Sequence, residues 1–391
     1  MENCGRREKE MKWIGTFLCV FWVILERNNG SKITMKNKIL IKNGNADYEC
    51  YIIAEQDLFP GYDEINTKLN WVREKVKEMH FSTGKHPVEY DICFYDSKQI
   101  NAFAVKITDR RYVIAVSIKL LIGMREELEE YFKNPDLKKY FWGNKRSAKR
   151  HAQKVCEYIL LYVILHEYYH ILNGHCDSAY AIGKLLVEAA ISRGGINNRY
   201  SQILECDADY CAARSCMYII NDTYKGLDDR ISEIRFLGFS IYYIFLKFQE
   251  QGYENMHYMV DLYANNHPAA SIRFVYTSMV ISNGILNLMS KQAAFKELWD
   301  IIEVSIYFDR VYYDADTFDL SLAALAYTKR GTRHLNDLHT GWNEVRDELE
   351  KVSYVSLKYN EPIDFTNHVW VDKDGNMILD NFYEIITKYY G

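Results

Sequence analysis

Residues 158–172, YILLYVILHEYYHIL, decide how this chain is read. The stretch lacks two-residue alternation and is too long for a strand, so it predicts a buried helix over 153–173. Asn173-Gly174 supplies the stop, because glycine adopts the left-handed conformation that ends helices. Within it stand His166, Glu167 and His170. Residues four apart share one helix face, so both imidazoles can reach a single metal ion. Glu167 is offset by one residue and projects beside that face, where it can take a proton from metal-bound water. The competing reading is a pair of core histidines. Burying two imidazoles and a carboxylate in an apolar helix is expensive unless something satisfies them. Zn2+ is the expected cofactor, since it lowers the pKa of a bound water to about 7.

A catalytic zinc needs a third protein ligand and an open position. The metzincin pattern would place glycine at 173 and histidine at 176; Asn173 and Cys176 stand there, which removes that class. His175, just past the helix end, reads as a structural or supporting residue. Glu205 is the better candidate, in Leu204-Glu205-Cys206-Asp207-Ala208-Asp209 on a helix expected over 201–219. Glu205 and Asp209 are four apart, so one can ligate while the other accepts the distal N–H of a ligand histidine. Ala208, Ala212 and Ala213 allow close packing against another helix. Asp207 has no supporting spacing.

Three further stretches complete a pattern. Asn101-Ala102-Phe103-Ala104 lies on an expected strand before the active helix, Glu205-x-x-Ala208-Asp209 lies after it, and His267-Pro268-Ala269-Ala270-Ser271-Ile272-Arg273 follows. Together with His166–His170 they resemble, in order, the signatures of the HtpX and CAAX-prenyl-endopeptidase group of gluzincin metallopeptidases. The resemblance implies zinc ligands His166, His170 and Glu205, with Glu167 as general base. It also implies an oxyanion-stabilising His267, an orienting Asp209 and a supporting Arg273. The strand Tyr112–Ile118 would be the edge to which a peptide substrate adds. Where that family usually has a small residue, this chain has Tyr169. The family's multiple membrane spans are missing, which makes the chain similar also to the phage-exclusion peptidase Lit and to ImmA-type proteins. The implied activity is a zinc-dependent endopeptidase acting on protein or peptide substrates. The alternative is a catalytically inactive, metal-stabilised regulatory or binding protein.

Around this centre the chain of 391 residues has room for more than one domain. The expectation is an α+β, zincin-like and helix-rich architecture, with a small, mostly antiparallel sheet packed on the HExxH helix. Four segments are expected: 1–34, 35–88, a catalytic domain over 89–290 and a helical region over 291–391. Strands are expected at 38–42, 50–54, 90–95, 102–107 and 112–118. Further helices are expected at 64–79, 179–192, 228–250 and 270–290. Asp374-Gly375 reads as the turn of a strand–turn–strand over 370–379.

A net charge of −5 provides no global basic field, so nucleic acid is not an expected partner. The odd count of 9 cysteines lacks the even pattern of a secreted framework and suggests reduced thiols in a cytoplasmic setting. Trp13–Leu25 (WIGTFLCVFWVIL) is short of the roughly 20 residues that span a bilayer. It reads either as a short membrane anchor or as an extension upstream of a start at Met35.

Overall fold

In the computed structural model the residues described are 88–108, 110–141, 147–178, 196–252, 262–263, 266–290 and 329–361, with strand segments between 23 and 52 and single helical positions at 74, 293, 297, 301, 304 and 326. The architecture is mixed α+β. The chain divides into two compact units, Met1–Gly123 and Met124–Gly391. The expected helices at 64–79 and 179–192, the strand–turn–strand at 370–379 and residues 13–22 lie outside the described residues.

In the first unit β1 (Val23–Glu26) pairs antiparallel with β2 (Lys32–Met35), so the end of the apolar N-terminal run is strand. A five-stranded sheet holds β3 (Lys38–Asn43), β4 (Ala46–Ile52), β5 (Glu89–Tyr95), β6 (Ala102–Thr108) and β7 (Arg111–Ser117) in the order β3-β4-β5-β7-β6. Only β5 and β7 run parallel; the other three pairings are antiparallel, as expected of a mostly antiparallel sheet. Its core gathers Cys50, Cys93, Tyr95, Phe103, Val113 and Ala115.

One expectation is overturned here. The strand near 112–118 is not an edge: β7 is bonded to β5 on one side and to β6 on the other, so its backbone has no free ladder for a peptide. The reason is in its residues. In RYVIAVS every position after Arg111 is buried, the pattern of a strand covered on both faces. Among the described strands the edges are β3 and β6, and AFAVKIT of β6 is only partly buried.

Helix α1 (Ile118–Tyr131) follows β7, and α2 (Pro135–Lys139) is a short helix capped by the Asn134 side chain. In the second unit α3 (Ala148–Leu172) begins five residues earlier than the hydrophobic pattern suggests, because the Ser147 hydroxyl caps it by accepting from the Arg150 N–H. Helices α4 (Ile196–Thr223), α5 (Leu227–Gly252) and α6 (Ala270–Leu286) follow. They pack in a ring, α3 on α4 and α5, and α6 on α4 and α5. Ala208, Ala212 and Ala213 are fully buried on α4, and Phe236–Leu246 of α5 is core. No helix among the described residues is long and apolar enough to cross a membrane.

Helix α7 (Lys329–Glu350) packs on α4 and α6. Leu335, Leu338, Trp342 and Leu349 share one core with Ile203, Ile272 and Val275. Arg199 on α4 adds a fork to α7, with Nε and Nη2 each 2.8 Å from Asp337 and Nη1 2.8 Å from Glu344.

Candidate metal centre

Helices α3 and α4 carry the centre. The spacing along α3 turns His166 and His170 the same way, and their Nε2 atoms stand 3.1 Å apart. Glu205 on α4 faces both, with Oε2 3.3 Å from His166 Nε2 and Oε1 3.4 Å from His170 Nε2. Tetrahedral ligands about 2.0–2.1 Å from a zinc ion stand about 3.3 Å from one another. The two imidazole nitrogens match that spacing, and each finds one oxygen of Glu205 near it, Oε2 for His166 and Oε1 for His170. Among the described residues His166, His170 and Glu205 are the set whose donor atoms all fall within 4.8 Å of one another. Glu205 Oε2, His166 Nδ1 and His175 Nε2 are buried without an aligned hydrogen bond. The donor set could therefore hold a metal ion.

Behind this face Asp209 holds His166 from its other nitrogen, Nδ1 to Oδ1 being 2.9 Å. Asp209 also receives Arg273 Nε at 2.7 Å and Nη2 at 2.8 Å, and the Tyr162 hydroxyl at 2.6 Å. Burial works against the Asp209 charge, but Arg273 and His166 hold its pKa down at about 2. Burial likewise opposes a charge on His166, yet Asp209 and Glu205 raise it to about 10. A cation entering between the donors takes the place of that proton. Burial keeps His170 well below the ordinary histidine range, hence neutral and able to ligate.

Glu167 is buried next to the pair, and burial pushes its carboxyl up to about 7; Glu205 adds to the rise, while His166, His267 and Arg273 oppose it. His267 approaches from the turn before α6, with Nδ1 3.0 Å from Glu205 Oε2 and a side chain 62% exposed. The negative charge of Glu205 raises its pKa. Arg273 Nη2 lies 3.4 Å from the same oxygen. All seven residues singled out in the sequence thus converge, and His267 marks the side open to solvent. Tyr169 is accommodated by a 2.7 Å contact with the Ser215 hydroxyl on α4.

Sequence reasoning passed over two groups. Tyr162 sits one turn before His166 on the same face, a spacing that could have revealed it. Asp207 contacts His175, whose Nε2 is 3.2 Å from its Oδ2, and accepts from Asn173 at 2.6 Å. No fixed spacing announces that pairing. The described cysteines carry no disulfide, and Cys206 and Cys211, beside the centre in sequence, have pKa values raised by burial. Comparison with family models, with curated proteins and with solved structures finds no match to this chain.

Proposed function

We propose that the protein is a zinc-dependent endopeptidase of gluzincin type, with His166, His170 and Glu205 holding the ion. The observation that carries this reading is the convergence of donor atoms from those three side chains within 4.8 Å of one another, beside the buried Glu167 carboxylate. A zinc ion there would act as a Lewis acid toward a water and a peptide carbonyl. Glu167 takes the proton from the attacking water and returns it to the leaving amine. A carboxyl at about 7 is suited to both halves of that cycle near neutral pH. His267, on the open side, donates to the carbonyl oxygen as negative charge develops on it. Asp209 keeps the His166 proton on Nδ1, so that Nε2 stays free to ligate. Arg273 and Tyr162 fix Asp209 in that orientation.

The test pairs metal content with turnover. Purified wild type is expected to hold one zinc per chain and to cleave members of a mixed peptide library. Glu167→Gln should keep the zinc and lose cleavage. Wild type without stoichiometric zinc refutes the metal site. Cleavage that survives Glu167→Gln refutes the base. The inactive, metal-stabilised alternative has its own signature: zinc bound by wild type, no library peptide cut, and a biological phenotype indifferent to Glu167→Gln.

A further inference from the structure

We propose that His175, backed by Asp207 and Asn173, is the positioning residue that sets His170 for metal binding, and that helix α7 holds His175 in place through Trp342. The inference rests on the metal reading of His166, His170 and Glu205.

The argument is one of proton bookkeeping. His170 Nε2 faces the other two donors, so to ligate it must be free of a proton. A neutral imidazole then carries its proton on Nδ1. That Nδ1 lies 3.0 Å from Nδ1 of His175, which must therefore accept. The His175 proton is left on Nε2, 3.2 Å from Asp207 Oδ2. The same oxygen accepts from the Asn173 amide at 2.6 Å, which fixes the carboxylate. Asn173 thus holds Asp207 Oδ2 beside the His175 Nε2–H, which lies within ion-pair reach of it without making an aligned hydrogen bond. With the His170 proton on Nε2 instead, the nitrogen needed for the ion would be blocked. Ligand histidines ordinarily rest on a carboxylate or carbonyl. His166 does so directly on Asp209, whereas His170 does so through an interposed imidazole.

The chain is shaped to put His175 there. Gly174 takes φ of 79°, the left-handed turn that brings the next residue back beside the helix end. A Cβ on Gly174 would come within 2.9 Å of Val352 Cγ2 and 3.0 Å of the Ser353 nitrogen, so the segment after α7 presses directly on this turn. Tyr354 N–H donates to the Leu172 carbonyl at 2.8 Å, closing the end of α3. The buried His175 ring stands edge-on to Trp342, centroids 6.3 Å apart, and the Trp342 indole N–H is tied to the Lys358 carbonyl at 2.9 Å.

The test uses the full chain and needs no substrate. Zinc affinity is read by chelator competition, ligand geometry by the visible spectrum of the cobalt(II) form, and folding by urea denaturation of the metal-free protein. His175→Ala is expected to weaken zinc about 10–100-fold and to change the cobalt spectrum. His175→Asn keeps an acceptor oxygen where Nδ1 stood and should recover most of the affinity, although it lacks the ring. Equal losses in His175→Ala and His175→Asn, or wild-type affinity with an unchanged spectrum in His175→Ala, overturn the inference. Where His175→Ala does not fold, the near-isosteric Asp207→Asn decides. Weaker zinc at unchanged metal-free stability supports the proposal, and unchanged affinity overturns it. Wild type that binds no zinc fails at the earlier step and removes the metal reading itself.

Discussion

Helix α3 carries two buried tyrosine–carboxylate–cation groups one turn apart, and they are put to different uses. In the first, the Tyr158 hydroxyl donates to Glu233 at 2.5 Å and Lys154 Nζ meets the same carboxylate at 2.7 Å. In the second, the Tyr162 hydroxyl donates to Asp209 at 2.6 Å and Arg273 grips it with two nitrogens. The Glu233 group joins α3 to α5, with Lys154 also reaching the Tyr224 hydroxyl at 3.1 Å and the Glu157 carboxylate at 3.7 Å. The Asp209 group reaches instead the Nδ1 of His166. The cations differ accordingly. A lysine is a point charge that tolerates rotation, whereas a guanidinium fork fixes the plane of the carboxylate it binds. The same device becomes an orienting device when a rigid cation fixes the carboxylate and a ligand histidine takes the remaining lone pair.

Two truncations separate these uses. Asp209→Ala should be the most damaging change, because Arg273 would be left buried without its carboxylate. Breaking a buried pair in this way costs about 3–5 kcal/mol, and the lost support of His166 should weaken zinc about 10–100-fold. Glu233→Ala should cost somewhat less, about 3 kcal/mol, since Lys154 can move its ammonium toward water. Its zinc affinity should match wild type. Urea midpoints of the metal-free proteins and chelator competition check both. Similar zinc losses in the two variants would erase the distinction between the groups.

How far each region could be read from sequence follows the same division. Helix α3 was legible because a long apolar stretch such as Tyr158–Leu165 has no other way to satisfy its backbone, whereas α1 and α2, in a more charged stretch, were not expected. His166, His170, Glu205 and Asp209 were legible because spacing of four residues is set by the helix itself. The row from His170 to His175, Asp207 and Asn173 was not, because it crosses from a turn to a second helix and no period governs such contacts. Helix α7 falls in the region expected over 291–391 only as helical, and what it packs against was not legible. The partners of Leu335, Leu338 and Trp342 lie far away in the chain, on α4 and α6. The edge assignment for β7 failed for a related reason: a strand's neighbours depend on topology, although its unbroken apolar run already marked it as interior.

The finest separation comes from removing single hydroxyls and then moving pH. Tyr162→Phe and Tyr158→Phe each delete one hydrogen bond to a charged group, so each should lose about 1.5–3 kcal/mol of metal-free stability. Only Tyr162→Phe should also loosen zinc, by a few-fold at most, since Arg273 still grips Asp209. The Asp209 carboxylate and the Lys154 ammonium should also fail at opposite ends of the pH scale. Burial disfavours both charges, but Arg273 and His166 hold Asp209 at about 2, below its ordinary 3.8. Its contribution is complete above pH 3.8 and is lost as pH falls toward 2. For Lys154 burial is again outweighed, here by Glu233, and the pKa rises above its ordinary 10.5. That contribution is complete below pH 10.5 and is lost as pH climbs through the raised value. Metal-free wild type should therefore lose an acid-side increment that Asp209→Ala lacks, and an alkaline-side increment that Glu233→Ala lacks. Urea midpoints taken from pH 2 to pH 11 would resolve them. An acid-side loss undiminished in Asp209→Ala would mean that Arg273 and His166 do not hold that carboxylate in solution, and the orienting role assigned to it would go with them.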